Sequence, residues 1–503
     1  MSKNASCIAV LDVGRTNKKL LIYDMNLNQV DSVFATIDDV SQGTENHEPV
    51  EAVTRFFLDS LTDMAKRYNI KVISISTYGG TFVCLDENGN LAVPALSGST
   101  DPGEAFHTDF DAFIGDPRNI QRRMATPRMP YLSVIARGIY YVKTHYHEGF
   151  ARTRTILGLP QYYGFLLTGK TGMDITYIGT HTGLWDFEKM TFSEVRESLG
   201  VKDLIPQKVS NSWEILGTLK PEIARQTGLS DDVIVTMGVH DSNAAMVPFL
   251  IREPHDFVLV STGSMCVVMH PVPEPRLTED EIGEMVYFNL DGFGGVFKTA
   301  LFVAGLEFDL YMGFLEGTHG RRDHPDFNPE LIEDILKRGN EFILPAIVPF
   351  GMYMHSPARF IEGDKIFTLE QVFSGQGPAF INDYERTYNI LMLSMALHTR
   401  KAMLRAGIAP GKRAIIAGGF SHNTLFTRLI AALFPESPVM CTDLNEATAL
   451  GAAILGLAAH EGVSPKMLAE RFSSHPEQIP VTPFTGLEEY VAAFERHMEK
   501  TSQ

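Results

Sequence analysis

The stretch Cys7-Ile8-Ala9-Val10-Leu11-Asp12-Val13-Gly14-Arg15-Thr16-Asn17-Lys18-Lys19-Leu20-Leu21-Ile22-Tyr23 decides how the rest of the chain is read. Two apolar runs of strand length flank a polar turn with a glycine, which predicts a β-hairpin. An Asx-Gly turn needs no ligand to explain it. This one, however, gathers Asp12, Gly14, Thr16, Asn17 and Lys19 at the inner end of two apolar strands. Exposed amides there can cradle phosphate oxygens, and Asp12 can hold a hydrated Mg²⁺. The unit returns half a chain later, where Phe257-Val258-Leu259-Val260 runs into Ser261-Thr262-Gly263-Ser264 and then Met265 to Met269. A supersecondary unit repeated at half-length predicts two similar halves facing across a cleft.

Between the two hairpins lies Gly238-Val239-His240-Asp241-Ser242-Asn243-Ala244-Ala245, directly after the apolar run Val233-Ile234-Val235. A buried strand ends at a glycine and presents His240 and Asp241 before a helix of small residues. Asp241 there serves either as a helix cap or as a base that accepts a proton from an alcohol. Loops at strand ends are where a rigid scaffold displays such groups.

The chain has 503 residues, more than one core accommodates, so at least two domains are expected. Its 44% hydrophobic and 21% charged residues are ordinary for a globular enzyme. A formal charge of −18 argues against a nucleic-acid partner, which requires a basic face. Cys7, Cys84, Cys266 and Cys441 are scattered without paired spacing and read as reduced core residues. The polar stretch Met1 to Ser6 lacks the apolar region of a signal peptide, and no apolar run approaches the ~20 residues of a membrane span. A cytoplasmic location follows as the expectation.

Further along, Val50 to Tyr68 has helical spacing, and Val72 to Ile75 reads as a strand ending in Ser76-Thr77-Tyr78-Gly79-Gly80-Thr81. The glycines of that segment allow close backbone approach by a sugar, or they mark a bulge. Pro94 to Phe150 reads as loop-rich, with His145-Tyr146-His147 at the surface, and Ile156 to Leu167 as a helix. Arg252-Glu253-Pro254-His255 reads as the crossover between domains. Asp383 to Arg405 reads as a long amphipathic helix. The strand Ala414 to Ala417 then opens on Gly418-Gly419-Phe420-Ser421-His422-Asn423, a junction that admits a flat ring or a phosphate. It lacks the three spaced glycines of a dinucleotide fingerprint, so NAD is not implied. Glu446 to Ala453 starts a helix whose small residues suit close packing.

Taken together, Asp12-Val13-Gly14-Arg15-Thr16, Leu167-Thr168-Gly169-Lys170, Gly238-Val239-His240-Asp241, Ser261-Thr262-Gly263-Ser264, Ala417-Gly418-Gly419 with Asn423, and Glu446-Ala447-Thr448-Ala449-Leu450-Gly451 resemble the FGGY carbohydrate kinases. The resemblance runs essentially end to end. It implies an α/β chain of two ribonuclease H-like domains of the actin/hexokinase/Hsp70 type with a catalytic cleft between them. It implies an N-terminal sugar-binding and catalytic-base domain over 1–250 and a C-terminal nucleotide-binding domain over 251–503. The glycine turns, with Gly14, Thr16, Asn17, Thr262, Gly263 and Ser264, are then expected to hold ATP phosphates. Lys19 faces those phosphates, Asp12 lies near Mg²⁺, and Gly418, Gly419 and Asn423 border the adenosine. Asp241 is the expected base.

Tyr78, Gly79, Gly80, Thr81, His240 and Asp241 stand where the ketose is touched, in segments similar to those of L-rhamnulose and L-fuculose kinases. Tyr78 replaces a usual Trp, Thr81 a common acidic residue, and Ser97 to Asp101 lacks the Arg-Asp pairing typical of the family. The expectation is an ATP-dependent kinase of a small ketose. Its alternatives are a polyol, pentulose or aldonate kinase, or a non-catalytic sugar- or nucleotide-binding regulator. The implied partners are the sugar and ATP alone, with no nucleic acid and no membrane, in a monomer or a homodimer.

Overall fold

The computed structural model describes residues 5–252, 257–348, 350–444 and 446–501. The expected crossover at Arg252-Glu253-Pro254-His255 therefore lies, from Glu253 onward, outside the described residues. The chain divides into two compact units. One comprises Met1–His255, Val272–Phe297 and Glu446–Ser473, the other Asp256–Pro271, Lys298–Asn445 and Ser474–Gln503.

In the first unit the hairpin forms as read, with Ser6–Val13 antiparallel to Asn17–Asp24 and Asp12 opposite Lys19. The strand order is Ile215–Thr218, Ile234–Thr236, Asn69–Thr77, Ser6–Val13, Asn17–Asp24, Gln29–Thr36, and the short strand Val239–His240 also pairs with Asn69–Thr77. The three middle strands are parallel, and Ser6–Val13 and Asn69–Thr77 are almost wholly buried, which is why they read as continuous apolar runs. Helix Val50–Ala65 buries Val53, Phe57, Leu61 and Met64 on one stripe.

The second unit repeats the plan. Phe257–Thr262 is antiparallel to Met265–Val272 and parallel to Arg413–Gly418, which is parallel in turn to Val439–Cys441. In both sheets the first hairpin strand is flanked by two successive parallel strands, and the next strand beyond them is antiparallel. Helix Tyr384–Ala406 is capped by the Asp383 carboxylate, which accepts from the Arg386 amide, and ends at Gly407 in the left-handed conformation. Most of its residues are buried, so it is a core helix rather than an amphipathic one.

Two segments differ from the sequence reading. Pro94 to Phe150 is not mainly loop: it holds helices Glu104–Ile114, Pro117–Met124 and Ile135–His145 and the start of His147–Arg152. Pro and Gly punctuation keeps each to 11 residues or fewer, too short for a 3.6-residue pattern to stand out. Thr155–Gly158 is a strand paired with Phe82–Leu85, and the helix begins only at Leu159, with Pro160 in its first turn. His145 and His147 are exposed, as expected. The four cysteines are free thiols, and among the described residues no helix is long and apolar enough to cross a membrane.

Candidate active site

Strand register brings the first set of groups together. Asp12 pairs with Ser76, and Ser76 with Val239, while Val13, Thr77 and His240 lie one step further along the same three strands. Asp12 and His240 thus emerge together at the carboxyl ends of parallel strands, where α/β sheets bind ligands. The hairpin turn closes through a Gly14 amide bond to the Asn17 carbonyl at 3.0 Å, leaving Arg15, Thr16 and Asn17 exposed.

Burial pushes the Asp12 carboxyl up to about 7; Lys19 opposes the shift, while Asp241 and Glu446 add to it. Asp12, Lys19, Asp241 and Glu446 therefore share one electrostatic neighbourhood. Lys19 donates to both carboxylate oxygens of Glu446, at 2.7 and 2.8 Å. Glu446 precedes helix Ala447–Glu461 without capping it, its carboxylate being committed to Lys19. Nothing in the sequence links these two residues, which are 427 positions apart.

Asp241 opens helix Asp241–Leu250. Its Oδ1 accepts the Ser242 amide at 2.5 Å and stands 3.5 Å from His240 Nε2, and its side chain is 33% exposed. His240 is held on its far side. Asn243 Nδ2 donates to the Leu290 carbonyl, so Asn243 Oδ1 is the acceptor for His240 Nδ1–H at 2.9 Å. In the neutral ring, Nε2 then carries the lone pair facing Asp241 and Gly79. The His240 amide donates to Thr176 Oγ1 at 3.1 Å, and Thr176 donates to the fully buried Asp174. Asp174, Thr176 and Asn243 are supports that the sequence reading did not single out; the three-residue spacing of His240 and Asn243 at a helix start was the available signal.

Around His240 and Asp241 the packing of the segment 78–81 is tight. A Cβ on Gly79 would lie 2.8 Å from His240 Nε2 and 3.3 Å from His181 Cε1. His181 meets the rings of His240 and Tyr287 edge to face, at 6.2 and 5.3 Å, and its imidazole is held down at about 3 by desolvation and by His240. Of the residues expected to touch a sugar, Gly79 is half-buried, whereas Tyr78, Gly80 and Thr81 are buried. The Tyr78 phenol donates to Glu48, and the Thr81 carbonyl accepts from the Tyr177 phenol at 2.5 Å.

In the second unit the Thr262 hydroxyl joins turn to junction, donating to the Ala417 carbonyl at 2.6 Å and accepting the Phe420 amide at 3.1 Å. Gly418 has φ +84°, and a Cβ on it would lie 1.9 Å from the Thr262 carbonyl oxygen, so this close approach requires glycine. Thr262, Gly263, Ser264, Gly419 and Asn423 all line one cavity of about 340 Å³. Phe308, His324, Phe420 and His422 complete its wall, with Phe308 edge to face with Phe420 at 5.3 Å. Phe308 and His324 were not expected from the sequence, whereas Phe420 and His422 belong to the glycine junction read there. Asn423 caps helix Thr424–Leu433 and donates to the Tyr388 hydroxyl at 2.7 Å. A cavity with one glycine-rich polar rim and one aromatic wall suits a phosphorylated heterocycle.

The description "FGGY family of carbohydrate kinases, N-terminal domain" matches residues 7–248, and "Carbohydrate kinase FGGY, C-terminal domain" matches residues 254–465. The chain belongs to the FGGY family of carbohydrate kinases. It is therefore a carbohydrate kinase, and kinases of this family use ATP.

Among curated relatives, it is 24% identical to an L-fuculokinase of Salmonella typhi over 273 residues, a match covering 51% of this chain and 57% of that protein. It is 20% identical to an L-fuculokinase of Escherichia coli K12 over 472 residues, covering 89% and 91%. It is 26% identical to a rhamnulokinase of Oceanobacillus iheyensis over 417 residues, covering 80% and 82%. A carbohydrate kinase from Novosphingobium aromaticivorans superposes with a TM-score of 0.79 at 24% identity, over 100% of both chains. A ligand-bound xylulose kinase from Lactobacillus acidophilus gives 0.78 at 16%, over 99% and 97%. A Plasmodium falciparum glycerol kinase with ADP gives 0.77 at 16%, over 99% and 98%. The two-domain kinase fold expected from the sequence is thus shown.

Proposed function

We propose that this kinase transfers the γ-phosphoryl group of ATP to a hydroxyl of a small ketose of the L-rhamnulose or L-fuculose type. The acceptor and the base belong to the N-terminal part, 1–250, and the nucleotide to the C-terminal part, 251–503. The observation that supports the reading is the gathering of four groups: Asp12 and His240 at the ends of neighbouring parallel strands, Lys19 opposite Asp12 across the antiparallel hairpin, and Asp241 at the start of the helix after His240. Asp241 takes the proton of the attacking hydroxyl, while His240 Nε2, locked by Asn243, accepts from a sugar hydroxyl and orients it. The new bond joins the acceptor oxygen to Pγ as the bond from Pγ to the bridging oxygen breaks, and ADP leaves.

In the first unit, amides of the Gly14 turn and Lys19 suit phosphate oxygens; in the second, amides of the Gly263 turn do so as well, and the aromatic wall near Gly419 and Asn423 suits an adenosine. Among the described residues no group of three ligating side chains is drawn together, so a divalent cation beside Asp12, with the Asp241 and Glu446 carboxylates near it, would keep most of its own water. Asp12 would hold such an ion, and Mg²⁺ bound there would supply neutralisation of phosphoryl charge. The curated L-fuculokinases and rhamnulokinase, and the likeness of residues 76–86 to those enzymes, support a deoxyketose over other acceptors.

ADP release across L-rhamnulose, L-fuculose, pentuloses, polyols and aldonates tests the assignment. A deoxyketose should give the highest kcat/KM, and Asp241→Asn should lower kcat with that substrate by about 10²–10⁴ while ATP still binds. Preference for an aldonate or a polyol overturns the substrate; an Asp241→Asn enzyme above about a tenth of full activity removes Asp241 as base.

A further inference from the structure

Arg15 sits in the exposed tip of the first glycine turn, and its side chain is engaged with residues outside that turn. Its guanidinium lies 5.0 Å from the centre of the Tyr78 ring, donates to Ser97 Oγ at 3.1 Å, and stands 3.5 Å from Asp39 Oδ2. Ser97 and Ser99 both donate to that same Asp39 oxygen, at 2.5 and 2.8 Å. Five residues from four separate stretches thus build one network, and its Arg and Asp stand beside the segment 97–101, where the sequence lacks the Arg-Asp pairing typical of the family.

The network borders the acceptor segment. A Cβ on Gly98 would lie 3.0 Å from the Gly80 carbonyl, and Gly79 packs on His240. Arg15 and Ser99 are reachable: the arginine side chain is 46% exposed and the serine half-buried. Acceptor capacity is left over, since neither Asp39 Oδ1 nor the second Glu48 oxygen has a donor among the described residues. The charge balance is also informative. Arg15 and Lys18 face Asp38, Asp39 and Glu48, so the corner carries no surplus positive charge to draw an anion.

We propose that Arg15, Asp39 and Ser99 form the specificity-determining end of the acceptor site, binding hydroxyls of an uncharged ketose and rejecting acceptors that carry a carboxylate. The proposal rests on the reading above, in which Gly79, Gly80, His240 and Asp241 hold the acceptor. A site built to hydrogen-bond a hydroxyl penalises any ligand that leaves its polar groups unpaired, and a carboxylate brought to Asp39 adds like-charge repulsion.

The test measures kcat and KM for L-rhamnulose, L-fuculose and D-gluconate in the unaltered enzyme and in Asp39→Asn, Arg15→Ala and Ser99→Ala. Asp39→Asn should raise KM for the better ketose by about 10-fold or more, with kcat and the KM for ATP within about 3-fold, and should raise the gluconate-to-ketose ratio of kcat/KM by at least about 10-fold. A purely structural tie between the turn and the 97–100 loop would not move that ratio. Ser99→Ala, which removes one hydroxyl, should raise ketose KM alone and keeps the test decisive if Asp39→Asn fails to fold. Active ketose turnover with KM and ratio unmoved in both variants overturns this inference alone. An unaltered enzyme that prefers gluconate overturns the ketose assignment instead.

Discussion

Asp12 keeps its proton in the folded chain up to a pH at which the unfolded chain has lost it, because burial and the nearby Asp241 and Glu446 carboxylates outweigh the help of Lys19. With a folded pKa of about 7 against an ordinary 3.8, the folded state binds more protons between those values. Stability of the nucleotide-free protein must then fall as pH rises from about 4 to about 7 and level off above, through this group. Asp174 and Glu307, each pushed up to about 7 by burial, act in the same direction. Asp12→Asn removes one such term. Its thermal midpoint, compared with that of the unaltered protein at pH 5 and pH 8, should be higher by a few degrees at pH 8 and by less at pH 5. A gap that is equal at both pH values, or reversed, contradicts a protonated Asp12. Asp12 was legible as a candidate because a carboxylate beside a glycine turn is a local pattern. Its partner Glu446 was not, because a salt bridge across 427 positions leaves no local trace.

The helices around Asp241 depend on glycine for their spacing. A Cβ on Gly451 would lie 1.8 Å from the Ala244 carbonyl oxygen, so helix Ala447–Glu461 rides directly on helix Asp241–Leu250. Close packing was the expected use of the small residues from Glu446 to Ala453, and Gly451 is where it happens. Gly451→Ala should cost about 1–3 kcal/mol of stability, the usual range for overpacking. Because Asp241 opens the displaced helix, kcat should also fall, with KM for ATP changed less. Denaturant unfolding and steady-state kinetics on the one variant check both, and a fully stable Gly451→Ala protein would mean that the helices separate freely. The hairpins were readable because each is a pair of continuous apolar runs about a polar glycine turn, and helix Tyr384–Ala406 because it is long. The short helices between Glu104 and Arg152 were not, because Pro and Gly cut their periodicity into pieces.

At the scale of the whole molecule, the first unit is completed by residues that come late in the chain. Gly456 packs against Ile8, Val72 and Ser74, so helix Ala447–Glu461 covers the parallel strands that carry Asp12 and His240. A fragment of residues 1–255 leaves that sheet face uncovered and should lack a cooperative thermal transition. The same fragment joined through a flexible linker to residues 446–473 should regain one in part. Cooperative unfolding of 1–255 alone, at the midpoint of the full chain, would show that the late helix is dispensable.

What the sequence determined by itself was the repeated hairpin, since strand and turn signals are set by neighbours along the chain, and, through the resemblance of its motifs, membership of the FGGY kinases, with Asp12, Lys19, His240 and Asp241 as candidates. Only the tertiary structure decided which distant residues complete each group: Glu446 on Lys19, Asp39 and Ser97 on Arg15, Thr176 and Asn243 on His240, and Phe308 and His324 on the second cavity. The physical reason is that hydrogen bonds and packing act over a few ångströms of space, whatever the number of residues between the partners.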